Sequence, residues 1–157
     1  MEEALPTPRS IIVGIDGSEP SRAALRYAAE IGPKLGLPVE AVVVWDYPTL
    51  AWGDAYYYPE SAESLRSNAE RLLAVEVERA FPAGTPAWLR TGIRQGGAAH
   101  ELIDASRDAA MLVVGTRGHG GFTGLLLGSV SSSCVSHAHC PVLVVRGEAS
   151  ISAEETS

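Results

Sequence analysis

Six glycines fall within the fifteen residues "GTRGHGGFTGLLLGS", Gly115 to Ser129, directly after the apolar run Met111 to Val114. Glycine lets a backbone approach an anion closely, so such a segment can turn its N–H groups toward a phosphate. It leads into "SVSSSCVSHA", read as a short helix opening at Gly128, Ser129 and Val130, and a helix N-terminus carries unpaired N–H groups and a partial positive charge. Ser129 is placed both to cap this helix and to donate its hydroxyl to a phosphate oxygen. Between Ala109 and Gly147 there is no Asp or Glu, only Arg117 and Arg146, although the net charge of the chain is −7. An anion site requires such a clearing, and buried strands and tight turns also produce one. Arg117 and His119 lie inside the segment, where each could meet a phosphate or face solvent.

Other chemistries fit less well. No lysine follows these glycines as a P-loop needs, and Thr123 stands where a third glycine would complete G-x-G-x-x-G. "CVSHAHC" brings Cys134, His137, His139 and Cys140 within seven residues, but zinc sites draw on separated pairs, so a buried thiol and helix-end histidines are expected. No Ser-His-Asp or Cys-His set and no paired carboxylates accompany the segment, so efficient catalysis is not expected. "WDYPTLAWGDAYYYP", Trp45 to Pro59, holds four of the five tyrosines and two of the three tryptophans. It is read as a lid, a partner surface or packing onto the body of the protein.

The elements that position these residues follow from periodicity. "SIIVGID" reads as a first strand ending at Asp16, which either belongs to a site or only shapes the turn. The following helix has Ser18 as N-cap, Pro20 in its first turn and Gly36 as its stop. "VEAVVVW", apolar at every position but Glu40, is a second strand, a helix runs from about Ser61 to Phe81, and "AWLRTGIR" is a third strand. "AAHELIDASRDAA" is a helix packing through Leu102, Ile103 and Ser106, "MLVVG" the fourth strand, and "PVLVV" the fifth, with Pro141 at its first position. Strand–helix alternation predicts a parallel sheet with right-handed crossovers and helices on both faces. Ligands of such sheets bind at the carboxyl ends of the strands where the order reverses. One domain over 9–146 is expected, with mobile tails at 1–8 and 147–157. The acidic balance argues against nucleic acid, no apolar run approaches membrane length, and a cytoplasmic protein is the default.

The spacing of Gly115, Gly118 and Gly128-Ser129 is G-x2-G-x9-G-[ST], and it resembles the nucleotide-binding signature of the ATP-binding branch of the universal stress protein family. "IIVGIDGSEPSRAALRYAAEIG" and "DAAMLVVGTRGHGGFTGLLLGSVSSSCVSHAHCPVLVV" are similar to its first strand and helix and to its C-terminal third. The resemblance implies a doubly wound five-stranded parallel sheet in the order 3-2-1-4-5, and a homodimer joined partly through the last strand, Val142 to Val145. It implies ATP, with Mg2+ or Mn2+, across the ends of strands one and four. Gly118, Gly128, Ser129, Val130 and Ser131 would line the phosphates, and Val114 and Gly115 the ribose. Ile15 and Asp16 would flank the adenosine, Asp16 reaching ribose or a metal-bound water, and Val44 and Trp45 would meet adenine through their backbone. The residue before the fourth strand, often Asp in the family, is Ala110 here. The expected function is a nucleotide-dependent sensor or regulator with an unidentified protein partner and at most slow ATP hydrolysis. The alternatives are an ATP-using enzyme on the same scaffold and an interaction module that binds no nucleotide.

Overall fold

Two short capping devices set the first helix of the computed structural model, which describes residues 9–47, 61–117 and 127–147. The Ser18 side chain accepts the Ser21 N–H at the N-terminus of α1 (Glu19–Leu35). Gly36, left-handed at φ 69°, closes the other end by donating its N–H to Gly32 and Pro33 carbonyls. Between the caps Ala24, Leu25 and Ala28 are buried, and the helix lies on the strands β1 (Ile11–Ile15) and β4 (Met111–Gly115).

The remaining elements are β2 (Val39–Trp45), α2 (Ala62–Ala80), β3 (Leu89–Gln95), α3 (Ala98–Ala105), α4 (Ser129–His137) and β5 (Val142–Val145). All strand pairs are parallel, in the order β3-β2-β1-β4-β5, the expected doubly wound sheet. Residues alternate between its two faces. Ile11, Val13 and Ile15 join a core under α1 and α2, while Ile12, Val42, Leu112 and Val114 join one under α3 and α4. Burying a Leu or Ile as completely as Leu112 or Ile11 contributes roughly 1.5–3 kcal/mol each.

Three of the boundaries that differ from the sequence reading have a visible structural cause. The third strand starts at Leu89 rather than Ala87, because Ala87 and Trp88 form a turn in which the Leu89 N–H donates to the Pro86 carbonyl at 3.1 Å. The helix expected through Ala110 leaves α-geometry at Ala105, continues as a 3-10 turn over Ser106–Asp108, and becomes extended at Ala109 to enter β4. Fully buried Ser106 fixes that change: its hydroxyl donates to the Ile103 carbonyl and accepts the His139 N–H at 2.9 Å. Pro141 precedes β5 instead of opening it, and its carbonyl accepts the Leu112 N–H.

Candidate functional site

β1 and β4 are neighbours, while the connections from them lead to opposite sides of the sheet, so their carboxyl ends form the switch point. A cleft of ≈ 340 Å³ opens there. Ile15, Asp16, Val44, Val114, Gly115, Arg117, Gly128, Ser129, Val130 and Ser131 all line it. Gly118 and His119 lie outside the described residues, as does most of the aromatic segment following Tyr47.

One end of the cleft is polar. Gly17, at φ 83°, turns the chain between β1 and α1, and Asp16 Oδ1 accepts from both the N–H and the hydroxyl of Ser18. Asp16 therefore does shape the turn, but it uses only one carboxylate oxygen to do so. α4 enters from the other side with Gly128 as N-cap, no side-chain cap and no acid in its first turn. Ser129 thus does not cap the helix. It is the first helical residue, one position too late for its hydroxyl to reach the N2 or N3 amide from the cap position. Among the described residues the N–H groups of the first turn consequently have no side-chain acceptor, and they border the cleft.

Ser131 lines the cleft, and its hydroxyl has a structural task of its own. Its buried hydroxyl lies 2.8 Å from the Thr116 carbonyl, to which it donates, and 3.2 Å from that of Gly128. The Gly128 N–H donates to the same Thr116 carbonyl at 2.7 Å. One carbonyl at the exit of β4 thus holds the start of α4, fixing Gly128 beside Thr116.

The other end of the cleft is apolar. Val42 and Val44 of β2, Leu102 and Ala98 of α3, Val114, and Gly14 beneath them form it. A Cβ on Gly14 would stand 3.0 Å from Leu102 Cδ1, so the missing side chain is what leaves room between strand and helix. Trp45 does not face this space. Its ring packs into the α1/α2 core and edge-on to Tyr47 at 5.8 Å, and its carbonyl accepts the Gly96 N–H of the neighbouring strand end. Adjacent residues of a strand point to opposite faces, so of the pair only Val44 reaches the cleft.

Gly14, Ser18, Ser21, Val42, Ala98 and Leu102 also line the cleft, although the sequence reading assigns none of them to a site. The single available signal was Gly14, which interrupts a β-branched run on the same face as Ile12. Leu102 was legible only as a core residue.

The cysteines belong to packing. Cys134 is fully buried on the inner face of α4, and among the described residues no three His, Cys, Asp or Glu side chains converge as metal ligands. Burial, and then the nearby Cys140 thiol, pushes the Cys134 thiol up from 9.0 to about 11. At pH 8 its thiolate population should be about 100-fold below that of a free thiol. Iodoacetamide at pH 8 should leave Cys134 unmodified in the folded protein and label it in denaturant; rapid labelling of folded protein, located by peptide mass spectrometry, would contradict its burial.

The model of the Universal stress protein family matches residues 8–146. Universal stress protein Rv2623 of Mycobacterium tuberculosis is 34% identical over 144 residues, covering 90% of this chain and 48% of that protein. The chain spans about half the length of the curated relatives it matches. Among solved structures, universal stress protein UspA from Lactobacillus plantarum superposes with a TM-score of 0.71 at 22% identity, over 89% of this chain and 99% of that one. A universal stress protein in complex with cAMP gives 0.64 at 23% identity, over 89% and 98%. A family member from Arabidopsis thaliana with AMP bound gives 0.58 at 21% identity, over 96% and 97%. These superpositions match the same five-stranded α/β fold.

Proposed function

The chain belongs to the universal stress protein family, and from that premise we propose that it binds ATP in the cleft between β1 and β4 and acts as a nucleotide-dependent sensor or regulator. The observation that carries this reading is the start of α4, glycine-capped, free of acids and bordering a cleft whose opposite end is apolar. Phosphates would rest on the N–H groups of the first turn of α4, with Arg117 supplying positive charge. The base would lie against Val42, Val44 and Leu102, with the backbone of Ile15 and Val114 flanking the sugar. Asp16 has one carboxylate oxygen outside the turn that could meet ribose or a water on a divalent cation. Mg2+ or Mn2+ would be held mainly by the phosphates, whose charge it would screen.

Relatives of the same fold hold cAMP and AMP, which supports an adenine nucleotide as ligand. Among the described residues lining the cleft, Asp16 is the only acid, and its Oδ1 is engaged by Ser18. Hydrolysis would therefore be slow at most, and occupancy rather than turnover would carry the signal. A homodimer through β5 is consistent with that edge strand, whose four residues Val142–Val145 all remain partly exposed. No helix among the described residues is long and apolar enough to cross a membrane, and the cytoplasm is the proposed location.

The decisive experiment is to denature the purified protein, identify any released nucleotide by mass spectrometry, and titrate the stripped protein with ATP, AMP, cAMP and GTP by calorimetry with and without Mg2+. Micromolar ATP binding, tighter with Mg2+ and weaker for GTP, is expected. Absence of any adenine nucleotide in the released material, together with no heat at millimolar ATP, would reject the reading.

A further inference from the structure

Glu76 is the only buried acidic or basic side chain among the described residues. It projects from α2 toward α1, where Arg22 Nε donates to its Oε2 at 2.9 Å. The same guanidinium donates from Nη2 to the Gly17 carbonyl at 2.9 Å, and its Nη1 lies 3.5 Å from Glu19 Oε2. Arginine is the side chain with a rigid planar fork able to serve two acceptors in fixed directions; a lysine ammonium cannot reproduce that geometry. Gly17 is the positive-φ residue between Asp16, which lines the cleft, and Ser18, which caps α1. One cation therefore ties together α2, α1 and the turn that aims Asp16.

A buried ion pair is a poor source of stability, because desolvation offsets most of the attraction, and apolar residues would pack α1 against α2 at least as well. What this pair provides is direction. With Glu76 holding Nε, the Nη2 group is fixed on the Gly17 carbonyl, and that peptide sets the rotation of the turn carrying the Asp16 carboxylate. We propose that Glu76 is a positioning residue for the nucleotide site, acting through Arg22 and Gly17 on Asp16 and so linking the placement of α2 to ligand affinity. The inference rests on the nucleotide reading above.

The test is a double-mutant cycle on the full chain, read by calorimetry with MgATP and accompanied by melting temperatures. Arg22→Lys should weaken binding about tenfold in the parent and less than about twofold in an Asp16→Asn background, since a group that acts only through Asp16 loses its influence once the carboxylate is gone. Glu76→Gln, which preserves shape and removes charge, should weaken binding in the same Asp16-dependent way. Equal losses in both backgrounds would mean a general packing effect, and no loss in the parent background would mean no link; either overturns the proposal. Gly128→Asp separates the two claims. If it abolishes MgATP binding while Arg22→Lys and Glu76→Gln leave it intact, the site stands and the positioning role falls. If the parent binds no nucleotide, both fall.

Discussion

Replacing Gly128 with aspartate is expected to strengthen α4 and abolish ATP binding in a single step. The N-cap sits at φ −75° and ψ 174°, an extended conformation open to any residue, and no side chain caps the helix at present. An aspartate there would accept the N–H of Val130 or Ser131 and place negative charge at the positive end of the helix. The gain is about 0.3–1 kcal/mol, which should raise the melting temperature by roughly 1–3 °C. The same carboxylate would occupy the amides proposed for the phosphates. Like charges about 4 Å apart at a protein surface repel by about 4 kcal/mol, so a loss of at least about a hundredfold in ATP affinity is expected. Adenosine, which has no phosphate, should lose far less, and Gly128→Asn, a cap without charge, should fall between. Calorimetry and thermal melts on the same samples read both effects. If Gly128→Asp binds ATP as tightly as the parent, the phosphates do not lie on α4.

The second large effect concerns stability and assigns Gly115 a role distinct from touching a ligand. A Cβ at this position would lie 2.6 Å from both the carbonyl carbon and the Cβ of Pro20, and 2.9 Å from its oxygen. Two of these three atoms are backbone, and the third belongs to a rigid ring in the first turn of α1. None can swing aside, so α1 as a whole must move off β4. Overpacking of this kind costs about 1–3 kcal/mol. For a domain of this size Gly115→Val should lower the melting temperature by roughly 5–10 °C, with Gly115→Ala toward the smaller end. Pro20→Gly should relieve the clash only in part, since it removes the Cβ contact while the carbonyl carbon and oxygen remain. An unchanged melting temperature for Gly115→Ala would remove the steric explanation. Because α1 carries the Ser18 cap and Arg22, its displacement should also weaken ligand binding in proportion to the distortion.

Gly115 and Gly128 stand at two points of one spacing pattern, yet they do different physical work. In sequence they look alike because spacing records only that a side chain is absent. The reason for each absence lies in what faces it. For Gly115 that is Pro20, ninety-five residues earlier in the chain; for Gly128 it is the cleft. Ser131 shows the converse. Its position in the signature suggests a phosphate contact, but spacing says nothing of its hydroxyl, which is directed at the Thr116 carbonyl. Trp45 and Val44 differ by one residue and lie on opposite faces of the sheet, a distinction set by the phase of the strand against its neighbours.

Local chemistry alone was enough to read the alternation of strands and helices, the Ser18 and Gly36 caps, the apolar β2 and β4 runs, and the acid-free glycine segment. Capping, turn formation and periodicity act within a few residues, so their signals are written contiguously. Family resemblance in two segments added the strand order, and with it the switch point where Asp16 and the α4 N-terminus meet. Tertiary structure alone decided the rest: Gly14 leaving space under Leu102, Gly115 against Pro20, and Arg22 joined to Glu76 and Gly17. Those contacts bring together residues from different elements, and their energy depends on distances and directions that no spacing along the chain encodes.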